Sequence, residues 1–291
     1  MRLGLFADPH LEEPNLDELE NIFNEIISYD VDEWICLGDY LEKKPTPKEI
    51  YFATKWAILF KEKGKKFTLI EGNHPAIEND FSSEDYLSFL GTNIKPTYVI
   101  DNCYFGHCLT EKSDRCFTDI NSEKNRYEIN TKDVEKYKYT VFGHQHTYQK
   151  ISKNIYHLGS CRFIDFGETT EPNKYIAIID NKIQFIKLKN VIPMVDVKDI
   201  KELPNISQNS KVRCIITDFN ILKNHLVDIE KYKKYFTQFK IKLELNQQDL
   251  LPTQKQEKHS LQNIIKEWLD NIKDKEVKQE LIEEFSYEEL I

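Results

Sequence analysis

Apolar strands and amphipathic helices alternate along the first 190 residues. Short apolar runs at Arg2–Ala7, Glu33–Leu37 and Phe67–Ile70 have the length of buried strands, and each ends in a polar turn. Between the first two runs, the apolar residues from Leu16 to Ile27 keep helical spacing. Strands that alternate with helices in this way predict an α/β fold with parallel strands.

A second helix is predicted between the second and third strands. It opens with Thr46, followed by Pro47 at the first helical position and by Glu49, which completes a capping box. Gly64 lies where that helix should end.

From Tyr98 onwards the pattern becomes richer in strands. Tyr139–Phe142 is predicted as one strand. Tyr175–Ile179 and Ile183–Leu188 are predicted as two more, and the Asp180-Asn181 turn between them indicates a hairpin. Residues 1–190 are therefore expected to form the first and largest domain.

The chain after residue 190 divides into two smaller parts. Val212–Thr217 and Phe239–Leu245 are predicted strands around a helix near Leu222–Tyr235, so residues 191–250 should form a small α+β unit. Residues 251–291 should form a linker and helical tail. The linker signal is the polar stretch Asn246–His259, and an apolar stripe at helical spacing follows it. The stripe consists of Leu261, Ile264, Ile265, Trp268, Leu269 and Ile272.

Composition indicates a soluble cytoplasmic protein. Hydrophobic residues make up 40% of the chain and charged residues 31%. No apolar run approaches the roughly 20 residues that a membrane span needs, and the segment before Asp8 is too short for a signal peptide. The 6 cysteines include no CxxC pair, so we expect small buried thiols in a reducing compartment.

The net charge of −9 is unevenly distributed. Residues 191–250 carry 10 Lys/Arg against 8 Asp/Glu, whereas residues 251–291 carry 6 against 10. The small unit is thus compatible with contact to a nucleic-acid backbone. The acidic tail at residues 251–291 is not compatible with such contact. Its apolar stripe is better explained by docking on another protein.

Five polar motifs follow apolar strands, and together they suggest a metal site. Each is weak alone, because glycine, aspartate and histidine are common in turns. The carboxyl ends of parallel strands meet at one crevice, however, where such side chains converge. In chain order the motifs are Asp8-Pro9-His10, Gly38-Asp39, Gly72-Asn73-His74, Gly106-His107 and Gly143-His144-Gln145-His146.

The residue types in these motifs suit divalent ions. Carboxylate, imidazole and amide donors together fit manganese, iron or zinc. Two ions roughly 3.5–4 Å apart would need about seven protein ligands with one bridging carboxylate. The seven candidates are Asp8, His10, Asp39, Asn73, His107, His144 and His146. His74 is then left free beside a ligand, where an imidazole can assist the leaving oxygen.

The five motifs resemble those of the calcineurin-like metallophosphoesterase superfamily. The resemblance implies a double β-sheet sandwich flanked by helices. It implies that one ion is held by Asp8, His10, Asp39 and His146, and the other by Asp39, Asn73, His107 and His144. It further implies hydrolysis by a hydroxide activated between the two ions, with His74 assisting as the catalytic histidine. Manganese is the expected ion, with magnesium, iron and zinc as alternatives.

A second, looser resemblance concerns the substrate. The run from Leu158-Gly159-Ser160 to Phe166-Gly167-Glu168, followed by a closing hairpin, is similar to that of SbcD-type DNA repair nucleases. A small cap and a helical tail after residue 190 also fit that family. The resemblance implies exonuclease action on duplex ends and endonuclease action on single strands, in DNA repair or recombination. It also implies a homodimer whose tail helices bind an SbcC-like SMC-type ATPase.

Some positions leave alternatives open. Arg162 is either a bidentate phosphate ligand or an ordinary arginine at a sheet edge. Pro75 stands where the family usually has an acidic residue, and Glu42 where many members carry aspartate. The competing functions are a stand-alone phosphodiesterase or phosphatase of the same superfamily, and a non-catalytic scaffold. Phosphoprotein phosphatases carry an arginine soon after the Gly-Asp motif, and residues 40–44 contain none.

Overall fold

A computed structural model describes residues 1–42, 44–64, 66–74, 76–78, 81–82, 84–113, 128–218, 225 and 231–244. Its α-helices are α1 (Leu16–Ile26), α2 (Pro47–Lys63) and α3 (Thr131–Val134). Short 3-10 helices occupy Glu13–Asn15, Asp85–Leu90, Phe166–Thr170 and Ile200–Asn205.

The strands are β1 (Leu3–Phe6), β2 (Glu33–Cys36), β3 (Phe67–Ile70), β4 (Ala76–Glu78), β5 (Phe81–Ser82), β6 (Asn93–Lys95), β7 (Thr97–Ile100), β8 (Cys103–His107), β9 (Leu109–Thr110), β10 (Glu128–Ile129), β11 (Tyr139–Gly143), β12 (Gln149–Lys150), β13 (Ile155–His157), β14 (Tyr175–Ile179), β15 (Ile183–Lys187), β16 (Met194–Val197), β17 (Lys211–Ile216) and β18 (Gln238–Leu243).

Two sheets build the first part of the chain. The six-stranded sheet has the order β15-β14-β1-β2-β3-β6, in which β1, β2, β3 and β6 are parallel. The five-stranded sheet has the order β12-β13-β11-β8-β7, and its central strands β8, β11 and β13 are parallel. The expected mixed α/β fold with parallel strands is therefore confirmed, and the expected hairpin joins β14 to β15.

The two sheets share an apolar core. Leu5, Ile35 and Ala177 of the six-stranded sheet belong to one buried cluster with Phe105 and Val141 of the five-stranded sheet. On the outer face of the six-stranded sheet, α1 and α2 bury a second cluster rich in aromatic rings. The resulting layers are helices, sheet, sheet, and this stacking fixes the strand ends relative to one another.

Helix α2 begins and ends where its sequence signals predict. Oγ1 of Thr46 accepts the backbone N–H of Glu49 at 3.3 Å, and the Glu49 carboxylate accepts that of Thr46 at 2.7 Å. At the other end, Gly64 donates its N–H to the carbonyl of Phe60. The reciprocal bonds satisfy two donors that a helix start leaves open.

A small three-stranded parallel sheet, β16-β17-β18, follows the first two sheets. We call it the small sheet. Val197, Leu203, Val212 and Phe236 bury a core of their own against it. The predicted strands at Val212–Thr217 and Phe239–Leu245 correspond to β17 and β18, whereas β16 was not predicted.

Several predictions fall on residues that the structure does not describe. Most of the predicted helix near Leu222–Tyr235, the linker from residue 246 and the helical tail at 251–291 lie outside the described residues, as does Pro75. No described helix has the length and apolar character needed to span a membrane. The five described cysteines are all free thiols, and four of them are buried.

Candidate metal centre

The seven candidate ligands lie at the carboxyl ends of five parallel strands from both large sheets. Asp8 and His10 follow β1, Asp39 follows β2, and Asn73 follows β3. His107 is the last residue of β8, and His144 and His146 follow β11. Because β1, β2 and β3 belong to one sheet and β8 and β11 to the other, the site lies at the edge of the sandwich where the carboxyl ends of both sets of strands come together.

Four of these ligands have a left-handed backbone. The φ angles are 49° at Asp8, 46° at His10, 46° at Asp39 and 74° at His144. For a residue with a Cβ this conformation is unfavourable by order 1 kcal/mol or more, and it persists only where the surroundings impose it. The turns after β1, β2 and β11 thus bend back over the strand ends and aim the side chains inward.

Three glycines are required by close packing beside the ligands, and one of them is Gly143, where a Cβ would lie 2.1 Å from the carbonyl oxygen of Leu37. A Cβ on Gly38, whose φ is 100°, would lie 2.1 Å from Nδ1 of His107. A Cβ on Gly72 would lie 2.1 Å from Oδ1 of Asp39. Gly106 does not share this constraint: it lies within β8, and a Cβ there would find its nearest neighbours at 3.4 Å, an ordinary contact.

One donor cluster consists of Asp8, His10 and His146, whose ligand atoms lie within 4.8 Å of one another. Nε2 of His10 is 3.3 Å from Nε2 of His146. Nδ1 of His10 is 2.7 Å from Oε1 of Glu42, and Nδ1 of His146 is 3.4 Å from Oε1 of Glu168. Since carboxylates only accept, each Nδ1 donates to its carboxylate, and in the neutral ring Nε2 is then the atom that carries the lone pair. Two facing lone pairs fit a cation bound between them.

The second donor cluster consists of Asp39, His107 and His144, again within 4.8 Å. Nδ1 of His107 donates to the carbonyl of Leu37 at 2.8 Å, which directs Nε2 into the cluster. That Nε2 lies 2.8 Å from Oδ1 of Asn73, 3.2 Å from Oδ2 of Asp39 and 3.2 Å from Nδ1 of His144. An imidazole nitrogen surrounded by two oxygens and another nitrogen is typical of a metal site.

Asp39 lies between the two clusters. Its Oδ2 is 3.2 Å from Nε2 of His107 in one cluster and 3.6 Å from Nε2 of His10 in the other. Its Oδ1 accepts the backbone N–H of His74 at 2.9 Å, which holds the carboxylate in this orientation. This is the geometry expected of a carboxylate that bridges two ions.

The electrostatics of the site call for added positive charge. Burial raises the pKa of Asp8, which is fully buried. Although burial opposes it, Asp39 and Asp8 raise the pKa of His107 to about 9, so that the ring takes up a proton among these carboxylates. Burial and the neighbouring His107 lower the pKa of His144 to about 3, which keeps that ring a neutral donor. Divalent ions would supply the charge that the proton on His107 supplies here.

His74 lies beside the clusters and is the most open of the site histidines. Its side chain is 46% exposed, and its ring packs edge-on to His10 at 4.7 Å between centroids. Its Nδ1 is 3.1 Å from Oε2 of Glu42, and this hydrogen bond raises the pKa of His74. One carboxylate, Glu42, therefore holds a metal-ligand candidate with one oxygen and the predicted catalytic histidine with the other.

Arg162 occupies a different place from the one expected of a phosphate ligand. It is 5% exposed. Its Nε donates to the carbonyl of Pro9 at 2.8 Å, and its Nη2 donates to that of His10 at 3.1 Å. A guanidinium buried under the turn after β1 supports the backbone at Pro9 and at the candidate ligand His10.

Sequence reasoning missed a buried group beneath His146. Glu168 has one oxygen next to His146 and the other in an ion pair with Lys174, and both residues of that pair are buried. Burial alone would raise the pKa of Glu168, but the bond from His146 and the charge of Lys174 lower it to about 2. The run ending in Glu168 indicated only a family resemblance, because nothing in its local sequence predicts a contact with a residue 22 positions earlier in the chain.

Comparisons with known proteins give a family match and a set of similar solved structures. A family model described as calcineurin-like phosphoesterase matches residues 1–180. A single-mutant form of Vps29 from Entamoeba histolytica is similar with a TM-score of 0.36 and 10% sequence identity, over 65% of this chain and 98% of that chain. Similarity at that level carries no conclusion about function. No curated protein matches the sequence significantly.

Proposed function

The chain belongs to the calcineurin-like phosphoesterase family, and from this premise we propose that it is a two-metal nuclease that hydrolyses DNA phosphodiesters. Its reaction class is hydrolysis of phosphoesters. We further propose that it works as a dimer with an SbcC-like SMC ATPase, which would bind through residues 251–291. Manganese is the proposed ion.

The observation that carries this proposal is the pair of donor clusters joined by Asp39. The two groups, Asp8–His10–His146 and Asp39–His107–His144, contain six of the seven candidate ligands. Asn73 completes the second group through its contact with His107. Two such sites sharing one carboxylate are what a two-metal hydrolase needs, because the shared ligand fixes the distance between the ions.

The protein residues divide the work as follows. The two clusters would hold the ions, which when bound would activate water and neutralise charge on the phosphate. Asp8 and Asp39 supply the negative charge that retains them. His74, which is held by Glu42 and open to solvent, would donate a proton toward the leaving oxygen.

Three observations favour DNA over a phosphomonoester. The chain continues beyond its last histidine motif into the small sheet, which adds a surface beside the first domain. Residues 191–250 carry a slight excess of Lys/Arg, in contrast to the rest of the chain. Residues 40–44 lack the arginine expected of phosphoprotein phosphatases. Together with the resemblance of the 158–168 run, they support a nuclease.

The test is cleavage of an end-labelled DNA duplex and of a single strand, with manganese and with EDTA, in the presence and absence of the ATPase partner. We expect cleavage with manganese and none with EDTA. His74→Gln should keep its metal and lose activity by about 10²-fold or more, whereas Asp39→Asn should lose both.

Two results would contradict the proposal. Rapid turnover of para-nitrophenyl phosphate alongside inert DNA would instead favour a phosphatase of the same superfamily. A protein that binds no metal and keeps its cellular role after His10→Ala would favour the scaffold.

A further inference from the structure

The 3-10 helix Phe166–Thr170 lies between the donor cluster of His146 and the small sheet. Asp165 caps its start by accepting the N–H of Gly167, and Glu168 completes the capping box. Glu168 and Phe166 are buried within it. Because the helix has only five residues, contacts on its two sides are separated by a single turn.

The side facing the metal centre is held through Glu168. Its Oε1 lies 3.4 Å from Nδ1 of His146 and accepts the backbone N–H groups of Ile164 and Asp165, each at 3.1 Å. Its Oε2 pairs with Nζ of Lys174. A carboxylate on the far nitrogen of a ligating histidine sets both the tautomer and the direction of the ring.

The side facing the small sheet is held by an ion pair of that sheet. Nη2 of Arg213, on β17, donates to the carbonyl of Phe166 at 3.2 Å, and the guanidinium lies 4.9 Å from the centre of the Phe166 ring. Oδ2 of Asp196, on β16, accepts the hydroxyl of Thr169 at 2.9 Å. Arg213 and Asp196 are joined by two hydrogen bonds of 2.7 Å each, so they contact the helix as one unit.

We propose that the Arg213–Asp196 pair of the small sheet positions the metal ligand His146, acting through the 3-10 helix and Glu168. The described contacts of Arg213 and Asp196 reach the 3-10 helix and not the donor clusters. The pair therefore acts by fixing the position of Glu168. A shift of the helix moves the carboxylate relative to Nδ1 of His146 and changes how well Nε2 faces its ion. A ligand that displaces the small sheet would thereby alter the affinity of one ion site.

This inference rests on the proposed metal centre. It predicts an asymmetry: the cluster of Asp8, His10 and His146 depends on the pair, whereas no hydrogen bond or ion pair found among the described residues joins Asp39 or His107 of the other cluster to the helix. Remote residues in a connected set of contacts typically change a coupled affinity by about 2- to 30-fold.

The chain offers a matched control on the same strand. Nζ of Lys211, also on β17, pairs with Glu18 of α1 at 2.7 Å, and so joins the small sheet to the first domain without touching the 3-10 helix. Lys211→Met removes an ion pair between these parts. Arg213→Met removes the guanidinium's contact with the 3-10 helix together with its pairing to Asp196. Arg213→Lys keeps a charge for Asp196 but loses the forked geometry.

The experiment measures manganese binding to the full chain by equilibrium dialysis with elemental analysis, and cobalt absorption as a separate readout of ligand geometry. The wild type should bind two ions, and Lys211→Met should bind both with the same affinities as the wild type. Arg213→Met should keep one site unchanged and weaken the other about 2- to 30-fold, with an altered cobalt spectrum, and Arg213→Lys should fall between.

The outcomes separate the two proposals. If Arg213→Met binds both ions as Lys211→Met does, the positioning role is refuted and the metal centre stands. If Arg213→Met weakens both sites equally, the asymmetry and with it the inference fail. If the wild type binds no ion, the proposed function itself fails.

Discussion

Glu42 shows how a single side chain organises two roles in the site. Its two carboxylate oxygens hold Nδ1 of His10 at 2.7 Å and Nδ1 of His74 at 3.1 Å. Burial would raise its pKa, but the bonds from His10 and His74 lower the pKa of Glu42 to about 2. It therefore stays an acceptor for both rings. From the sequence, Glu42 was recognised only as a position where many family members carry aspartate. Spacing alone does not show which histidine rings its carboxylate contacts.

Glu84 provides a pH prediction at the scale of one residue. It is fully buried, and burial raises its pKa from 4.5 to about 8, although it accepts the N–H of Leu41 at 2.8 Å. Between these two pKa values the folded protein holds a proton that the unfolded chain has released. Stability from this group is thus present below pH 4.5 and is lost as pH rises through about 8.

Glu84→Gln should remove that dependence, because an amide has the shape of the protonated carboxyl and does not ionise. The variant should match the wild type near pH 5 and be more stable at pH 8, by up to about 1.4 kcal/mol for each pH unit of the window. Urea unfolding of both proteins at a series of pH values measures this. If the free energies of unfolding of the two proteins changed with pH in parallel, the prediction would be contradicted.

Helix α2 offers a prediction at the scale of an element. Thr46→Ala removes the hydroxyl that caps the N–H of Glu49. The loss should be about 1 kcal/mol in the free energy of unfolding. Because the cap lies in the helical layer and contributes no donor to either cluster, metal binding should be unchanged. A combined measurement of urea unfolding and manganese binding tests both parts; weakened metal binding would show that α2 affects the site.

The turn after β3 gives a sharper element-level test with a built-in control. Gly72 and Gly106 each precede a candidate ligand, but only at Gly72 would a Cβ collide with Asp39. Gly72→Ala should therefore weaken manganese binding strongly, since the bridging carboxylate must move. Gly106→Ala should bind manganese almost as the wild type does. Equal losses in the two variants, measured by equilibrium dialysis, would refute this account of the glycines.

Elements with strong local signals were predictable. The capping box and Gly64 defined α2, and the apolar runs defined β1 to β3 to within a residue or two. Strand β16, Met194–Val197, was not predicted because Asp196 interrupts its apolar residues and its two central residues are only half-buried, although it pairs with β17. A short strand made by its neighbours leaves little trace in its own sequence.

At the scale of the whole molecule, the donor clusters depend on the packing of two sheets. The order of motifs from Asp8 to His146 was enough to predict which residues meet, because carboxyl ends of parallel strands converge. It did not reveal the buried pair of Glu168 and Lys174, nor the burial of Arg162 beneath His10. Those contacts join segments that are distant in sequence and carry no periodic pattern.

The most direct test of the account is the position of bound metal, found by anomalous X-ray scattering from crystals grown with saturating manganese. We expect two peaks about 3.5–4 Å apart with the carboxylate of Asp39 between them, one beside His10 and His146 and the other beside His107 and His144. Crystals of Asp39→Asn should lose at least one peak. A single ion in the wild type, or two ions that do not share Asp39, would contradict the central claim.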